Sequence, residues 1–279
     1  MIVDVNGGIG NQLFHVANAI SFSVKFKIPV EVQLRGTDTS KHFNGTWHLG
    51  PLQNDLTKRY NLRFTRYKYF HEKLLVKSKN KFKKPKHIIN QDVEDFFIAN
   101  KGSNTNVSIS HIESKLLATY ANNNGFLVAL REFRDLNMND SILRAPNSNS
   151  IAIHLRRMDA GTGLTGLDGW WLSNDWYLRC LEFLSRNSSV TPEIYVFTNS
   201  LEEARFIVNR LPKVKVIGPE LSPLLTIFSI STFDNLILSR STFSFWAGEI
   251  SDATQIFSAY EKNDNFSPNR KYQYVKQNC

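Results

Sequence analysis

Three observations predict an α/β protein built on parallel, doubly wound sheets. The chain opens with a strand, glycine loop, helix, strand unit; its second half alternates short apolar strands with amphipathic helices; and polar clusters fall at the carboxyl ends of predicted strands. At 279 residues there is room for two medium domains, each with its own core.

The opening unit starts with a strand over Ile2 to Val5 and a loop, Asn6-Gly7-Gly8-Ile9-Gly10-Asn11-Gln12. Leu13, Phe14, Ala17, Ile20 and Val24 then follow at helical spacing, and Pro29 to Leu34 reads as the next strand. Gly8 and Gly10 let the backbone approach a ligand at a helix N-terminus, where unpaired amides and the helix dipole favour anions. Leu13 occupies the place of the third glycine of a dinucleotide fingerprint, which argues against a dehydrogenase. Asn11 and Gln12 set two amides at the helix start, a pattern suited to sugar hydroxyls.

From Gly36 to about Asn147 the pattern is less regular. Trp47-His48-Leu49, Phe96 to Ile98, Ile112 to Tyr120, Phe126-Leu127 and Phe133 read as helices with long loops, and Asn122 to Gly125 as a turn. Between Lys58 and His87 there are twelve Lys or Arg residues against the single acid Glu72, interleaved with aromatic residues. Such a surface attracts anions, and with no nucleic-acid motif beside it the expected partner is a membrane surface through Lys58–Lys86. The polar run Ala145 to Ser150 is the expected boundary between an N-terminal domain, 1–147, and a C-terminal domain, 148–279.

Beyond the boundary, Ile151-Ala152-Ile153-His154-Leu155 reads as a buried strand. A Gly/Thr-rich loop to Gly169 and a helix from about Asn174 follow. Glu193 to Phe197 is a strand, and Ser200 with Glu203 forms a capping box that opens a helix to Arg210. Val214 to Ile217 is a strand, Leu224 to Ser231 a helix and Asn235 to Leu238 a strand; Ile256 to Ala259 closes the sheet.

Composition is that of a soluble globular protein, with 42% hydrophobic and 21% charged residues. No apolar run reaches a membrane span and the N-terminus lacks a signal-peptide pattern, so the expected location is the cytoplasm. Cys180 and Cys279 have no metal spacing. His15, His42 and His48 are read as structural or solvated.

The chemistry concentrates after the central strand, where His154, Arg156, Arg157 and Asp159 follow one another at the ligand-binding end of an α/β sheet. Two adjacent guanidiniums repel unless an anion joins them, and their forks match phosphate oxygens. Strand alternation sends neighbours to opposite faces, so one arginine faces the ligand and Asp159 is free to hold the other. A second cluster, Ser241, Thr242 and Ser244, sits where a strand gives way to a helix and suits phosphate. No Walker sequence, Asp-x-Asp motif or His/Cys cluster accompanies them, so cationic side chains and helix dipoles are left to neutralise a departing diphosphate. The implied chemistry is transfer of a group from a nucleoside diphosphate.

Gly7 to Phe14, His154 to Asp159, Tyr195 to Asn199 and Ser241 to Trp246 resemble, in order and rough spacing, the blocks of the α-1,2-fucosyltransferases, glycosyltransferase family 11. The resemblance spans Met1 to about Asp252. It implies a GT-B-like pair of Rossmann-like domains whose parallel sheets face a cleft. It also implies an inverting, metal-independent transfer of L-fucose from GDP-β-L-fucose to the 2-hydroxyl of a galactoside, with no cofactor beyond the donor substrate. By position, Arg156 and Arg157 would hold the diphosphate, His154 would approach the guanosine, and Ser241, Thr242 and Ser244 would contact phosphate. Gly8, Gly10, Asn11 and Gln12 would lie on the acceptor side. Asp159 and Asp168 are the carboxylates positioned to take the acceptor proton, Asp159 being the better placed to orient an arginine. The family commonly carries Asp-Asp where this chain has Asn199-Ser200. The expected setting is bacterial surface polysaccharide synthesis on a lipid-diphosphate-linked glycan. Two other readings are another GDP-6-deoxyhexose donor and a polyanion- or nucleotide-binding protein without transferase activity.

Overall fold

The structure, a computed structural model, describes residues 2–5, 7–34, 46–66, 86–88, 107–109, 125–138, 145–147, 149–156, 172–186, 190–211, 213–259 and 273–274. The chain divides into two compact units, Met1–Phe126 and Leu127–Cys279. Each carries its own parallel sheet.

In the first unit, β1 (Ile2–Val5), β2 (Val30–Leu34) and β3 (Leu62–Arg66) form a parallel sheet in that order. The helix α1 (Ile9–Phe26) connects β1 to β2, and α2 (Gly50–Arg59) precedes β3. Leu13, Phe14, Ala17 and Ile20 are buried as their spacing demands, whereas Val24 is exposed near the helix end. A short parallel pair, β4 (Lys86–Ile88) with β5 (Val107–Ile109), is separate from this sheet.

The strand β3 departs from the helix-and-loop expectation for this region. Its cations disguise a period-2 pattern: Leu62 is buried, Arg63 is exposed, and Thr65 donates to the Glu31 carboxylate of β2 at 2.6 Å. Sheet pairing, which a basic composition does not reveal, decides its conformation. The pair β4 and β5 was likewise not expected. Most of the basic Lys58–Lys86 stretch, like Phe96 to Ile98 and Ile112 to Tyr120, lies outside the described residues. Within its described part, Arg59 pairs with Asp55 at 2.8 Å.

The second unit begins with α3 (Phe126–Asn137), of which all but Phe126 falls on the C-terminal side of the division. A six-stranded, all-parallel sheet follows, made of β6 (Ile151–Leu155), β7 (Ile194–Thr198), β8 (Val214–Ile217), β9 (Asn235–Leu238), β10 (Gln255–Ser258) and β11 (Gln273–Tyr274). Its spatial order is β11-β10-β9-β6-β7-β8. The chain builds outward from β6 to β8, then returns to lay β9 against the other side of β6. This reversal is a topological switch point, the place where such sheets bind ligands at the carboxyl ends of their strands. The expected last strand, Ile256 to Ala259, is therefore not the edge. The two residues of β11 add one more rung through Phe257 and Ser258, too short a segment to show a period.

The helices α4 (Asn174–Arg186), α5 (Arg205–Val208), α6 (Pro223–Ile230) and α7 (Thr242–Ile250) fill the connections. Ile151, Ile153 and Leu155 face one core layer with Trp176, Tyr177, Cys180, Leu181 and Leu184 of α4. Burial pushes the Cys180 thiol up to about 12, so it behaves as a core residue. Every residue of β6 and β7 is buried, as expected of central parallel strands covered on both faces.

The expected Ser200/Glu203 capping box does not form. A 3₁₀ turn over Glu202–Ala204 with Leu201 as its N-cap, lacking a side-chain cap, precedes the single helical turn α5. Thr198 intervenes: its Oγ1 accepts from the Ser200 amide at 3.0 Å and donates to the Ser200 carbonyl at 3.2 Å, closing a tight turn before the helix can start.

Two arginines of α3 anchor this helix to its unit. Arg131 donates to the carbonyls of Ile250 and Glu249 at 3.0 Å each, satisfying the open end of α7. Arg134, only 6% exposed, donates to the Ile250 carbonyl at 3.2 Å, to Ser231 Oγ at 3.3 Å and to the Asp252 carboxylate at 3.2 Å. Arg134→Met removes a donor from each of these acceptors, leaving the Ile250 carbonyl to Arg131 alone, and is expected to lower the unfolding free energy by about 2–4 kcal/mol. Urea denaturation of the two proteins measures this, and Arg131→Ala, half-exposed, is expected to cost about 1 kcal/mol.

Candidate functional site

The site in the second unit grows from the register of β6 and β9. Ile151 to His154 pair with Asn235 to Leu238, and the Ser239 amide continues the ladder by donating to the His154 carbonyl at 3.2 Å. Because alternate residues face opposite sides, His154 points away from the α4 layer and meets α7 instead. Arg156 is the next residue in the same alternating series and is half-buried just past the strand end.

At the start of α7, Ser241 adopts the extended backbone of an N-cap and its Oγ accepts from the Ser244 amide at 3.1 Å. This cap turns Ser244 inward, where its fully buried Oγ meets three groups: Ser241 Oγ at 3.0 Å, Ser239 Oγ at 2.8 Å and His154 Nδ1 at 2.5 Å. Ser239 Oγ is also 2.8 Å from His154 Nδ1. The imidazole stacks on the Phe243 ring, with centroids 4.7 Å apart and planes 20° from parallel. Two hydroxyls at one nitrogen and a ring against one face fix the imidazole in position and orientation, so His154 is a rigid element of the site.

Of the residues expected from sequence in this unit, His154, Arg156, Ser241, Thr242 and Ser244 come together at the carboxyl ends of β6 and β9. Asn199 stands exposed one residue past the Leu155–Thr198 pair, at the end of the adjacent β7. Arg157, Asp159 and Asp168 lie outside the described residues. The structure adds two residues that sequence reasoning did not single out, Ser239 and Arg240. His154 pairs with Leu238, so Arg156 and Arg240 each stand two residues beyond that rung, which puts a second cation at the matching position of the neighbouring strand. The signal was present in sequence as an arginine just past the end of each of two strands, but it became readable only once β6 and β9 were known to be neighbours.

In the first unit, the positive φ of the glycine loop falls at Gly7, at 77°. A Cβ there would lie 2.6 Å from Asn11 Nδ2, so both conformation and space require glycine. Gly8 is the N-cap of α1, and Gly10 is buried in its first turn. The Gln12 side chain, 4% exposed, is engaged internally: Nε2 donates to the Gly7 carbonyl at 2.9 Å and the Thr46 carbonyl at 2.8 Å, and Oε1 accepts from the His48 amide at 3.0 Å. Gln12 therefore ties the glycine loop to the segment 46–48.

Among the described residues, no group of three or more His, Cys, Asp or Glu side chains is placed to hold a metal ion, and no helix is long and apolar enough to cross a membrane.

No protein-family model matches the chain, and no curated protein does. Solved structures do. The ADP-heptose lipopolysaccharide heptosyltransferase II of E. coli aligns with a TM-score of 0.53 at 8% identity over 98% of this chain and 89% of its own. A family 9 glycosyl transferase from Veillonella parvula aligns with a TM-score of 0.53 at 9% identity, over 99% and 86%. The fucosyltransferase NodZ from Bradyrhizobium aligns at 0.46 and 12% identity, over 90% and 93%. The fold is accordingly α/β and GT-B-like, with Rossmann-like parallel sheets.

Removing the Ser244 hydroxyl breaks the hub of the cluster while leaving its partners buried. Ser244→Ala is expected to lower the unfolding free energy by about 1–3 kcal/mol, read by urea denaturation.

Proposed function

We propose that the chain is a glycosyltransferase that moves L-fucose from GDP-β-L-fucose to the 2-hydroxyl of a galactoside with inversion at the anomeric carbon. The observation that carries this reading is the convergence at the switch point. His154, fixed by Ser239 and Ser244, stands between the strand ends that bear Arg156 and Arg240, beside the N-terminus of α7. Cationic residues at two neighbouring strand ends beside a helix N-terminus suit a diphosphate. The α-1,2 linkage and the galactoside acceptor rest on the sequence resemblance to glycosyltransferase family 11.

In this mechanism the bond between the anomeric carbon and the β-phosphate oxygen breaks as the acceptor oxygen attacks from the opposite face. The electron pair of the broken bond departs with GDP. Arg156, with Arg157 after it, neutralises that growing charge, and the amides opening α7 add to it. His154 orients the nucleotide. Asn199, at the end of β7, replaces the acidic contact common in the family and is assigned to the guanosine side of the donor. The acceptor proton is assigned to Asp159 or Asp168, with Asp159 also serving to orient an arginine. The first unit supplies the acceptor side through the loop from Gly7 to Gln12. The basic stretch Lys58–Lys86 is proposed to meet the anionic membrane that carries a lipid-diphosphate-linked acceptor.

The test is GDP release from GDP-fucose in EDTA, with and without β-galactosyl acceptors. Acceptor-dependent release that survives the chelator is expected from the parent, with a fall of about 10²–10³-fold in Arg156→Ala at unchanged fold. Tight GDP binding without fucose release would redirect the assignment to another GDP-6-deoxyhexose. Binding that is only salt-dependent, without turnover, would make the protein a polyanion binder.

A further inference from the structure

The segment 46–49 of the first unit is held more firmly than a connecting loop requires. Gln12 grips it at both ends, through the Thr46 carbonyl and the His48 amide, and Leu49 leads directly into α2, its carbonyl accepting from the Leu52 amide at 3.0 Å. Trp47, between the two clamped residues, packs its ring on Phe64 with centroids 5.6 Å apart and lies against Gly50, where a Cβ would stand 3.6 Å from the indole. Side chains on such a brace are preorganised, the condition under which a weakly binding ligand loses little affinity to ordering.

Two polar groups on this brace lack partners. The Trp47 Nε1–H is buried and makes no hydrogen bond. The His48 imidazole is half-buried and, among the described residues, takes part in no hydrogen bond, ion pair or ring contact. Its burial lowers the pKa below the ordinary imidazole value, which leaves the ring neutral near pH 7, with one nitrogen donating and the other accepting. The other acidic and histidine side chains described in this unit are engaged or enclosed. Glu31 accepts from Thr65, Asp55 pairs with Arg59, and His15 is fully enclosed. A neutral donor–acceptor imidazole, next in sequence to an indole braced on Phe64, fits an uncharged polyhydroxylated ligand, whose hydroxyls both give and accept hydrogen bonds.

We propose that Trp47 and His48 form a sugar subsite of the first unit, in which the His48 imidazole hydrogen-bonds a hydroxyl of the neutral glycan acceptor. This rests on the transferase reading above and names the residue that contacts its acceptor. Gln12 is the positioning residue: it touches no sugar and fixes the backbone of His48 beside the glycine loop.

Methyl β-D-galactopyranoside titrated into the GDP-saturated full-length protein, followed through the imidazole ¹⁵N signals, tests the subsite. In the parent the His48 signals are expected to shift. His48→Ala is expected to raise the Kd of the galactoside at least about threefold, while His48→Gln, whose carbonyl restores an acceptor, recovers part of the loss. GDP affinity, within about twofold of the parent in both variants, reports that they are folded. An unmoved His48 signal, or a His48→Ala protein that binds the galactoside within about twofold of the parent, would overturn the subsite. A parent that binds GDP but not the galactoside overturns the subsite and leaves the donor assignment standing. A parent that binds neither overturns both.

Discussion

The structure of the second unit depends on one adjacency, the pairing of β6 with β9. These strands are separated in sequence by more than eighty residues, and the chain lays down β7 and β8 on one side of β6 before it returns to the other. The reversal sends the crossovers from β6 and β9 to opposite sides, and the polar residues collect at the carboxyl ends of these two strands. Apart from His154 and the half-buried Asn235 that opens β9, the strands are apolar, so their burial supplies the stability against which a few polar groups can be held at the ends.

His154 is the point at which this adjacency is converted into geometry. A buried imidazole needs partners, and here they come from the residue that follows β9 and from the first turn of α7. The contact works in both directions. It fixes the ring, and it also fixes the start of α7 relative to β6, so the helix N-terminus and the Arg156 backbone are set by one cluster. An error in any one hydroxyl would be felt by the others, since Ser244 Oγ is shared among Ser239, Ser241 and the ring.

How much of this could be read beforehand follows the range of each interaction. The strands Ile2–Val5, Val214–Ile217 and Asn235–Leu238 and the start of α4 at Asn174 agree with the pattern of the sequence, because local periodicity and burial coincide there. The strand β3 was hidden because its charged residues belong to an edge position whose neighbour, β2, is distant in sequence. Ser200 was misjudged because Thr198, two residues earlier, competes for the same backbone groups. For the site, His154, Arg156, Ser241 and Ser244 were recognisable as residue types at strand ends. Ser239 and Arg240 were not, since their roles exist only through strand order. Gln12 shows the opposite failure: an amide at a helix start looks available to a ligand until the segment that consumes it, 46–48, is folded against it.

The two ends of α7 are treated in opposite ways, and the difference has a physical purpose. At its carboxyl end, Arg131 and Arg134 from α3 occupy the carbonyls of Glu249 and Ile250, meeting the negative end of the helix dipole with positive charge. At its amino end Ser241 satisfies the Ser244 amide, and no acidic residue lies in the first turn. A helix stabilised only for its own sake would carry an Asp or Glu there. The positive end of the helix dipole thus lies beside strand ends that carry Arg156 and Arg240, with no acidic side chain in its own first turn to offset it. Such a helix start favours an anion that enters beside it. The anchoring by α3 makes this arrangement tolerable, because the stability of α7 is supplied at the end remote from the ligand.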